Sequence, residues 1–268
     1  SICDMGATIL DGGLPGGRFP LTGPGGEYGA FCIVGSFSQY NVVHQNSVVK
    51  IDGDLPLDKA ALVGCGVPTG WGSAVYTAGV QPGDTVAVIG VGGIGINAVQ
   101  GARYAGAKNV VAIDPLENKR EKAMEVGATH AFATADEATD VIADLTRGQM
   151  ADSAILAVGV MSAEVVGAGF SMTGKDGVVV LTGLGPLMEN TIVLPGSILT
   201  LFRKTVKGSL FGDCNPTYDI PKLLGLYQAG DLKLDELVTR TYRLDEVNEG
   251  YDDLLAGKNV RGVIVHEH

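Results

Sequence analysis

The chain has 268 residues, of which 46% are hydrophobic and 18% charged, a composition typical of a globular protein with a large core. The net charge of −11 argues against a nucleic-acid or anionic-membrane partner, because both attract clustered lysine and arginine. No apolar run reaches the roughly 18 residues of a transmembrane helix. The four cysteines are far apart and contain no CxxC pair, a pattern typical of reduced thiols or scattered metal ligands in a cytoplasmic protein.

The first part of the chain is predicted to be rich in loops and strands. Glycine and proline punctuate "DGGLPGGRFPLTGPGGEYGAF", which excludes a helix there. Short β-branched runs alternate in "FSQYNVVHQNSVVKID" (37–52), which predicts half-buried strands. The stretch 55–79 is predicted to be helical at both ends, with a break near Pro68.

From residue 84 onward, apolar strand patterns alternate with helical patterns. Predicted strands cover 84–90, 109–114, 151–159, 177–185 and 205–212, and predicted helices cover 92–105, 116–128, 136–147 and 163–172. This alternation predicts a parallel sheet covered on both faces. The tail is predicted to hold a helix, a strand, a helix and a closing strand, at 218–230, 237–242, 244–257 and 261–267.

A glycine-rich motif, "GVGGIG" (90–95), follows the first of these strands directly and opens a helix. That context is the one required of a dinucleotide-binding turn. Gly90 permits the tight turn, Gly92 lets the backbone approach a pyrophosphate, and Gly95 lets helix and strand pack closely. The helix N-terminus then favours phosphate. The cofactor-binding candidates of this turn are Gly90, Gly92, Gly93, Ile94 and Gly95.

The second strand ends in an acidic residue, Asp114, which follows Gly95 by 19 positions. A carboxylate there can accept both ribose hydroxyls of an adenosine and repels a 2′-phosphate, which predicts NAD rather than NADP. Lys119 either flanks the adenosine ribose or is a solvated helix lysine.

Motifs along nearly the whole chain carry a family resemblance: "GCGVPTGWGSAV" (64–75), "GVGGIG", "EVGATH", "KGSLFG" and "VNEGYDDLLAGKNVRGVIV". In this order and spacing the chain resembles a zinc-dependent alcohol dehydrogenase of the medium-chain dehydrogenase/reductase family. It is most similar to the glutathione- and mycothiol-linked formaldehyde dehydrogenases and the nitroso-acceptor (NDMA-dependent) alcohol dehydrogenases of actinobacteria. The resemblance implies an α/β fold: a Rossmann doubly wound parallel sheet (66–210) with a second, partial β-rich GroES-like catalytic domain formed by 1–65 and 211–268.

The resemblance implies a zinc ligand at Cys65, the last of three protein ligands to the catalytic zinc in the family. Thr69 matches the position that packs on the nicotinamide ring. Cys3 matches the last of four cysteines that hold a structural zinc, and its three partners do not occur in this sequence. The other two catalytic ligands of the family also lie in an N-terminal stretch that does not occur here, so the chain is expected to be the C-terminal part of a longer enzyme.

Further cofactor contacts follow from the same resemblance. Val158 and Gly159 match a loop beside the adenosine, and Thr182, Gly183 and Leu184 match a turn beside the nicotinamide. Phe211 matches a second such turn. Arg261 matches a cation that pairs with the pyrophosphate, which suits a forked guanidinium.

The function implied is zinc- and NAD-dependent hydride transfer between a cofactor and a small alcohol, aldehyde or thiol–formaldehyde adduct. Two alternatives remain open at this stage. One is a zinc-free reductase of the same superfamily, against which Cys65 counts, and the other is a catalytically incomplete fragment that binds NAD. A homo-oligomer, dimer or tetramer, is expected, because the apolar segment 190–202 would otherwise leave an exposed sheet edge.

Overall fold

The computed structural model describes residues 12–14, 17–30, 34–184 and 192–266. It opens with a small antiparallel hairpin of β1 (Leu21–Gly23) and β2 (Gly26–Tyr28). A helical region follows, formed by α1 (Leu57–Ala60), a 3₁₀ turn (Ala61–Gly64), α2 (Gly66–Gly72) and a π-helical turn (Ser73–Ala78). This region leads into the main sheet.

Six of the described strands form one parallel sheet: β3 (Thr85–Ile89), β4 (Asn109–Ile113), β5 (His130–Phe132), β6 (Ala151–Leu156), β7 (Thr173–Leu181) and β8 (Thr205–Gly208). Their spatial order is β5-β4-β3-β6-β7-β8. The crossover segments carry α3 (Gly95–Tyr104), α4 (Glu117–Glu125), α5 (Ala135–Leu145), α6 (Ala163–Met172) and α7 (Gly196–Leu201). The strand order reverses beside β3, which is the arrangement of a doubly wound Rossmann sheet. The predicted fold class is confirmed.

The two faces of the sheet are covered by separate hydrophobic clusters. Along β3, Val86 and Val88 belong to the cluster that also contains Trp71 and residues of α3. Ala87 and Ile89 point to the other face and belong to the cluster built with α5 and α6. A strand buried on both faces explains the continuous apolar run in its sequence.

The C-terminal segment adds α8 (Pro216–Ala229), β9 (Val238–Tyr242), α9 (Val247–Leu255) and β10 (Arg261–Ile264). Strands β9 and β10 pair in parallel and form a two-stranded sheet of their own. Within the described ranges, no helix has both the length and the apolar character needed to cross a membrane.

Three sequence expectations are wrong. Residues 37–52 form bends and one 3₁₀ turn (Gln45–Ser47) instead of strands; a strand needs a neighbour along its length, and among the described residues no ladder pairs with this segment. The helix break falls at Cys65, not at Pro68, because proline is tolerated in the first turn of α2, where its missing N–H has no acceptor. The described part of segment 190–202 contains α7 rather than an edge strand, and β8 occupies the edge.

Helices α2 and α3 lie unusually close to each other. A Cβ placed on Gly70 would come within 2.0 Å of the Ile94 carbonyl oxygen, and one on Gly101 within 2.6 Å of the Trp71 carbonyl oxygen. Both positions therefore require glycine. This contact brings the start of α2, which follows Cys65, beside the start of α3, which follows the glycine motif.

Candidate functional site

The glycine motif forms a sharp turn between β3 and α3, at the carboxyl ends of the parallel strands. Gly90 has a φ of 83°, a left-handed conformation that favours glycine. A Cβ on Gly95 would lie 1.8 Å from the Gly90 carbonyl oxygen. The turn itself therefore demands glycine at both positions.

Gly92 and Gly93 differ from the other two because their surroundings are side chains or open space. A Cβ on Gly92 would meet nothing within 4 Å except the Lys119 ammonium, at 3.8 Å. A Cβ on Gly93 would fall 2.3 Å from the guanidinium carbon of Arg261, and one on Gly66 would fall 1.8 Å from a guanidinium nitrogen of that side chain. Two cations thus flank an open space above the turn.

The Arg261 guanidinium is largely withdrawn from water. Its desolvation lowers its pKa from the usual value, while the neighbouring Cys65 acts in the opposite direction. Within the described ranges, neither Arg261 nor Lys119 has an ion pair with a carboxylate. Desolvated charge is costly unless a partner compensates it. An anion placed near both side chains would compensate their charge.

Asp114, at the end of β4, is buried and holds the glycine turn. One carboxylate oxygen accepts the Val91 N–H at 3.0 Å, and the other accepts the Leu116 N–H at 3.0 Å. The Arg120 guanidinium donates to the Asp114 backbone carbonyl at 2.8 Å and to that of Pro115 at 2.9 Å. A carboxylate has about four lone-pair sites, so acceptor capacity remains for a ligand hydroxyl.

Cys65 immediately precedes α2 and is exposed. It lines a cavity of about 420 Å³ together with Phe37, Tyr251 and Arg261. Thr69, one turn later, is buried, and its hydroxyl donates to the Cys65 carbonyl at 2.8 Å. The structure therefore brings Cys65 and Arg261 to one cavity, with Thr69 hydrogen-bonded to Cys65 one turn further along α2.

A thiolate suits zinc, but zinc sites in proteins need three or four ligands. Among the residues that the structure describes, no group of three potential ligands surrounds Cys65 or any other point. The described residues therefore do not compose a complete zinc site. Cys3, the predicted structural-zinc ligand, lies outside the described residues.

The loops after β6 and β7 meet beside the glycine turn. A Cβ on Gly90 would lie 3.0 Å from a methyl carbon of Val158, and one on Gly183 would lie 2.3 Å from the Val158 carbonyl oxygen. Thr182 is buried, and its hydroxyl donates to the Leu156 carbonyl at 2.8 Å, which fixes the end of β7. Gly159 and Leu184 are exposed at this edge of the sheet.

Phe211 lies in a turn after β8 that is half-buried against α2. Cys214 ends this turn, and burial is the main cause that raises the pKa of its thiol to about 12. This cysteine is therefore a neutral thiol at physiological pH. Sequence reasoning did not single out Gly66, although its contact with Arg261 needs the second glycine of the "GCG" motif.

Comparisons with known proteins agree with this arrangement. A family model described as zinc-binding dehydrogenase matches residues 93–229. An NDMA-dependent alcohol dehydrogenase of Amycolatopsis methanolica is 60% identical over 266 residues, which cover 99% of this chain and 72% of that protein. Alcohol dehydrogenase B of Mycobacterium tuberculosis is 47% identical over 265 residues, which cover 98% of this chain and 71% of that protein. The chain belongs to the zinc-binding alcohol dehydrogenase family.

Solved structures of similar proteins extend the comparison to the fold. An alcohol dehydrogenase zinc-binding domain protein from Burkholderia ambifaria matches 99% of this chain and 72% of that chain, with a TM-score of 0.89 and 28% identity. Benzyl alcohol dehydrogenase from Acinetobacter calcoaceticus matches 88% of this chain and 64% of that chain, with a TM-score of 0.82 and 29% identity. The predicted family and its class of enzyme, oxidoreductases, are confirmed.

Proposed function

We propose that this dehydrogenase transfers a hydride between NAD and a small alcohol, aldehyde or thiol–formaldehyde adduct. The observation that carries the proposal is the open space above Gly92, flanked by the Lys119 ammonium and the Arg261 guanidinium. The two negatively charged phosphates of a bound dinucleotide would compensate the positive charges of Lys119 and Arg261. The similarity to enzymes named for alcohol oxidation supports the substrate class.

In this proposal, each end of the cofactor meets its own set of residues. Arg261 and Lys119 hold the pyrophosphate, while Asp114, Val158 and Gly159 face the adenosine. Thr69, Thr182, Gly183, Leu184 and Phe211 surround the nicotinamide end. When bound, NAD supplies the hydride acceptor for the alcohol. The protein's own part is to orient the cofactor and to shield the reacting groups from water.

The selectivity for NAD over NADP rests on Asp114. Its carboxylate is held rigidly by the N–H groups of Val91 and Leu116, so it cannot swing away from a 2′-phosphate without losing both bonds. Fixed negative charge repels that phosphate and accepts ribose hydroxyls. Rigidity makes the discrimination stronger than a mobile surface carboxylate would.

The zinc proposal assigns Cys65 as one catalytic ligand and Cys3 as one ligand of a structural zinc. Cys65 is exposed toward the cavity that it shares with Phe37 and Tyr251, so its sulfur is accessible to an ion there. The remaining ligands of a complete site are not found among the described residues.

The domain division and the assembly also remain proposals. We assign residues 66–210 to the dinucleotide-binding domain and residues 1–65 and 211–268 to the catalytic domain. The edge strand β8 is largely exposed, as are Val193 and Leu201, which precede it in the chain. Exposed edges invite pairing with another chain, so a homo-oligomer built on this edge is proposed.

Direct binding measurements test the central proposal. Calorimetric titration of the purified chain with ADP-ribose should show one site, and Arg261→Gln should weaken binding by about tenfold to a hundredfold, because charge-assisted bonds to phosphate are lost. Arg203→Gln is the matched control, since Arg203 pairs with Asp176 on the surface. Absence of ADP-ribose binding, or equal losses in both variants, would refute the proposed site.

A further inference from the structure

The turn that follows β8 has an unfavourable backbone. Phe211, Gly212 and Asp213 have φ values of 55°, 67° and 55°, so three consecutive residues are left-handed. Phenylalanine and aspartate pay a steric cost in this region. Such a conformation persists only where surrounding contacts hold it, and it often occurs at functional sites.

A chain of side-chain hydroxyls connects this turn with the helical region after Cys65. The Ser73 hydroxyl donates to the Thr69 carbonyl at 2.6 Å and contacts the Ser209 hydroxyl at 3.0 Å. The Ser209 hydroxyl in turn lies 2.9 Å from that of Thr77, which donates to the Asp213 carboxylate at 2.8 Å. Ser73 and Thr77 are buried, Ser209 is half-buried, and Asp213 at the end of this chain is exposed.

The number of protons defines the role of each member. Three hydroxyl groups make four contacts, and each carries one proton. Ser73 gives its proton to Thr69 and Thr77 gives its proton to the carboxylate, so Ser209 donates to one neighbour at a time. Thr77 therefore bonds directly to the turn through Asp213. Ser209 donates one hydrogen bond, either to Ser73 or to Thr77.

The same turn packs against α2 and is joined to the end of β7. A Cβ on Gly212 would come within 2.2 Å of the Pro68 carbonyl oxygen, so the turn presses on the first turn of α2, beside Thr69. The Ser209 N–H donates to the Leu181 carbonyl at 2.9 Å, which joins the turn to the end of β7, beside Thr182. The turn thus lies between Thr69 and Thr182, two of the residues assigned to the nicotinamide end.

We propose that Thr77 and Ser209 are positioning residues that hold residues 211–213 in their left-handed conformation and so shape the nicotinamide end of the site. They act through the turn and Thr69, without touching the cofactor. This inference rests on the proposed function, because it takes Thr69 and Phe211 as neighbours of the nicotinamide.

A comparison of two ligands isolates this role. ADP-ribose contains every part of NADH except the nicotinamide, so its affinity reports only the other end of the site. Thr77→Val keeps the shape of the side chain and removes the hydroxyl. We expect the Kd for NADH to rise by about tenfold, the loss of one charge-assisted hydrogen bond, while that for ADP-ribose changes by less than about twofold.

Three further variants complete the test. Thr77→Ser restores the hydroxyl and should recover NADH affinity. Ser209→Ala leaves the donations of Ser73 and Thr77 intact and should weaken NADH by about threefold, which gives a second measurement if Thr77→Val does not fold. Thr139→Val is the matched control: the Thr139 hydroxyl donates to the Ala135 carbonyl within α5, away from the cleft.

The outcomes separate the inference from the proposed function. Equal losses for both ligands, or none for either, would overturn the positioning role. Failure of the unaltered chain to bind ADP-ribose would overturn the proposed function, and the inference with it. A selective loss of NADH affinity that Thr77→Ser restores is the result we expect.

Discussion

The Asp114 carboxylate accepts the Val91 N–H at 3.0 Å, so the acidic residue at the end of β4 is tied to the glycine turn that follows β3. One side chain thus has two tasks, to hold the turn and to face the ribose. Substitutions of Asp114 are expected to change both the stability of the fold and the choice of cofactor, and these effects can be measured separately.

Asp114→Ser should reduce the preference for NADH over NADPH by about 1–3 kcal/mol, because hydrogen bonds to the ribose are lost and repulsion of the 2′-phosphate is relieved. It should also lower the free energy of unfolding, since two backbone N–H groups lose their acceptor. Fluorescence titrations and urea unfolding measure the two effects. Asp152→Ser is the matched control, because the Asp152 carboxylate accepts the Thr85 N–H at 2.7 Å at the other end of the strands. Unchanged cofactor preference in Asp114→Ser would contradict the assignment.

Gly92→Ala and Gly95→Ala should fail in different ways. A methyl group on Gly92 enters the open space next to Lys119, so the protein should fold normally and lose at least about tenfold in ADP-ribose affinity. A methyl group on Gly95 collides with the Gly90 carbonyl and should lower the free energy of unfolding by about 1–3 kcal/mol. Thermal unfolding and calorimetry distinguish the two. A stable Gly92→Ala variant with unaltered affinity would be incompatible with phosphates above this turn.

Cys65→Ser should leave ADP-ribose affinity within about twofold of the unaltered chain, because the thiol lies outside the glycine turn and its carbonyl still accepts the Thr69 hydroxyl. The purified chain should retain no stoichiometric zinc after dialysis, since one thiolate cannot replace a set of three or four ligands. Elemental analysis measures the metal. Stoichiometric zinc that Cys65→Ser removes would show that this chain carries a complete site.

Acid should weaken the contact between α9 and the β9–β10 sheet. The buried Asp253 carboxylate accepts from Lys258 at 2.9 Å and from the Tyr242 hydroxyl at 2.8 Å, and these bonds lower its pKa below the usual value. A group with a lowered pKa in the folded state stabilises above its unfolded pKa of about 4, and this contribution is lost as the pH falls. The Asp253→Asn variant should therefore have a lower free energy of unfolding than the unaltered chain at about pH 7. The difference between the two free energies of unfolding should become smaller toward about pH 3. Urea unfolding across this range measures it, and a constant gap would contradict the charge assignment.

Leu201→Glu should weaken self-association if the β8 edge joins two chains, because a charge would enter a buried apolar contact. Leu201 is 75% exposed and ends α7, four residues before β8 begins. Leu255→Glu is the matched control, since Leu255 is 85% exposed and lies on α9. Light scattering at micromolar concentration should show a smaller mass for Leu201→Glu alone. A monomeric mass for the unaltered chain would contradict the proposed assembly.

The sheet could be predicted from the sequence because its information is local. The runs that form β3 and β4 are apolar at every position after the first, and the glycine motif between β3 and α3 is contiguous. The short β5 was missed, since three half-buried residues carry too little pattern. Segment 37–52 has strand-like alternation, yet alternation alone does not provide a hydrogen-bonded neighbour.

The contacts between distant parts of the chain could not be predicted from pattern. Arg261 was assigned by resemblance, but its position beside both Gly93 and Gly66 depends on how β10 packs against the glycine turn. The hydroxyl chain from Ser73 to Asp213 joins residues on separate elements, and isolated serines and threonines have no periodic signature. Left-handed Phe211 also has no sequence signal, because glycine is the residue expected in that region.

The close contact of α2 with α3 gives Gly70 and Gly101 the function of a spacer. Any larger residue at either position would force the axes of α2 and α3 apart. Cys65, which precedes α2, would then move away from the glycine turn, which precedes α3. The distance between Cys65 and the glycine turn thus depends on two positions that carry a hydrogen atom in place of a side chain. A substitution meant to change that distance would therefore start with Gly70 and Gly101, which face the neighbouring helix.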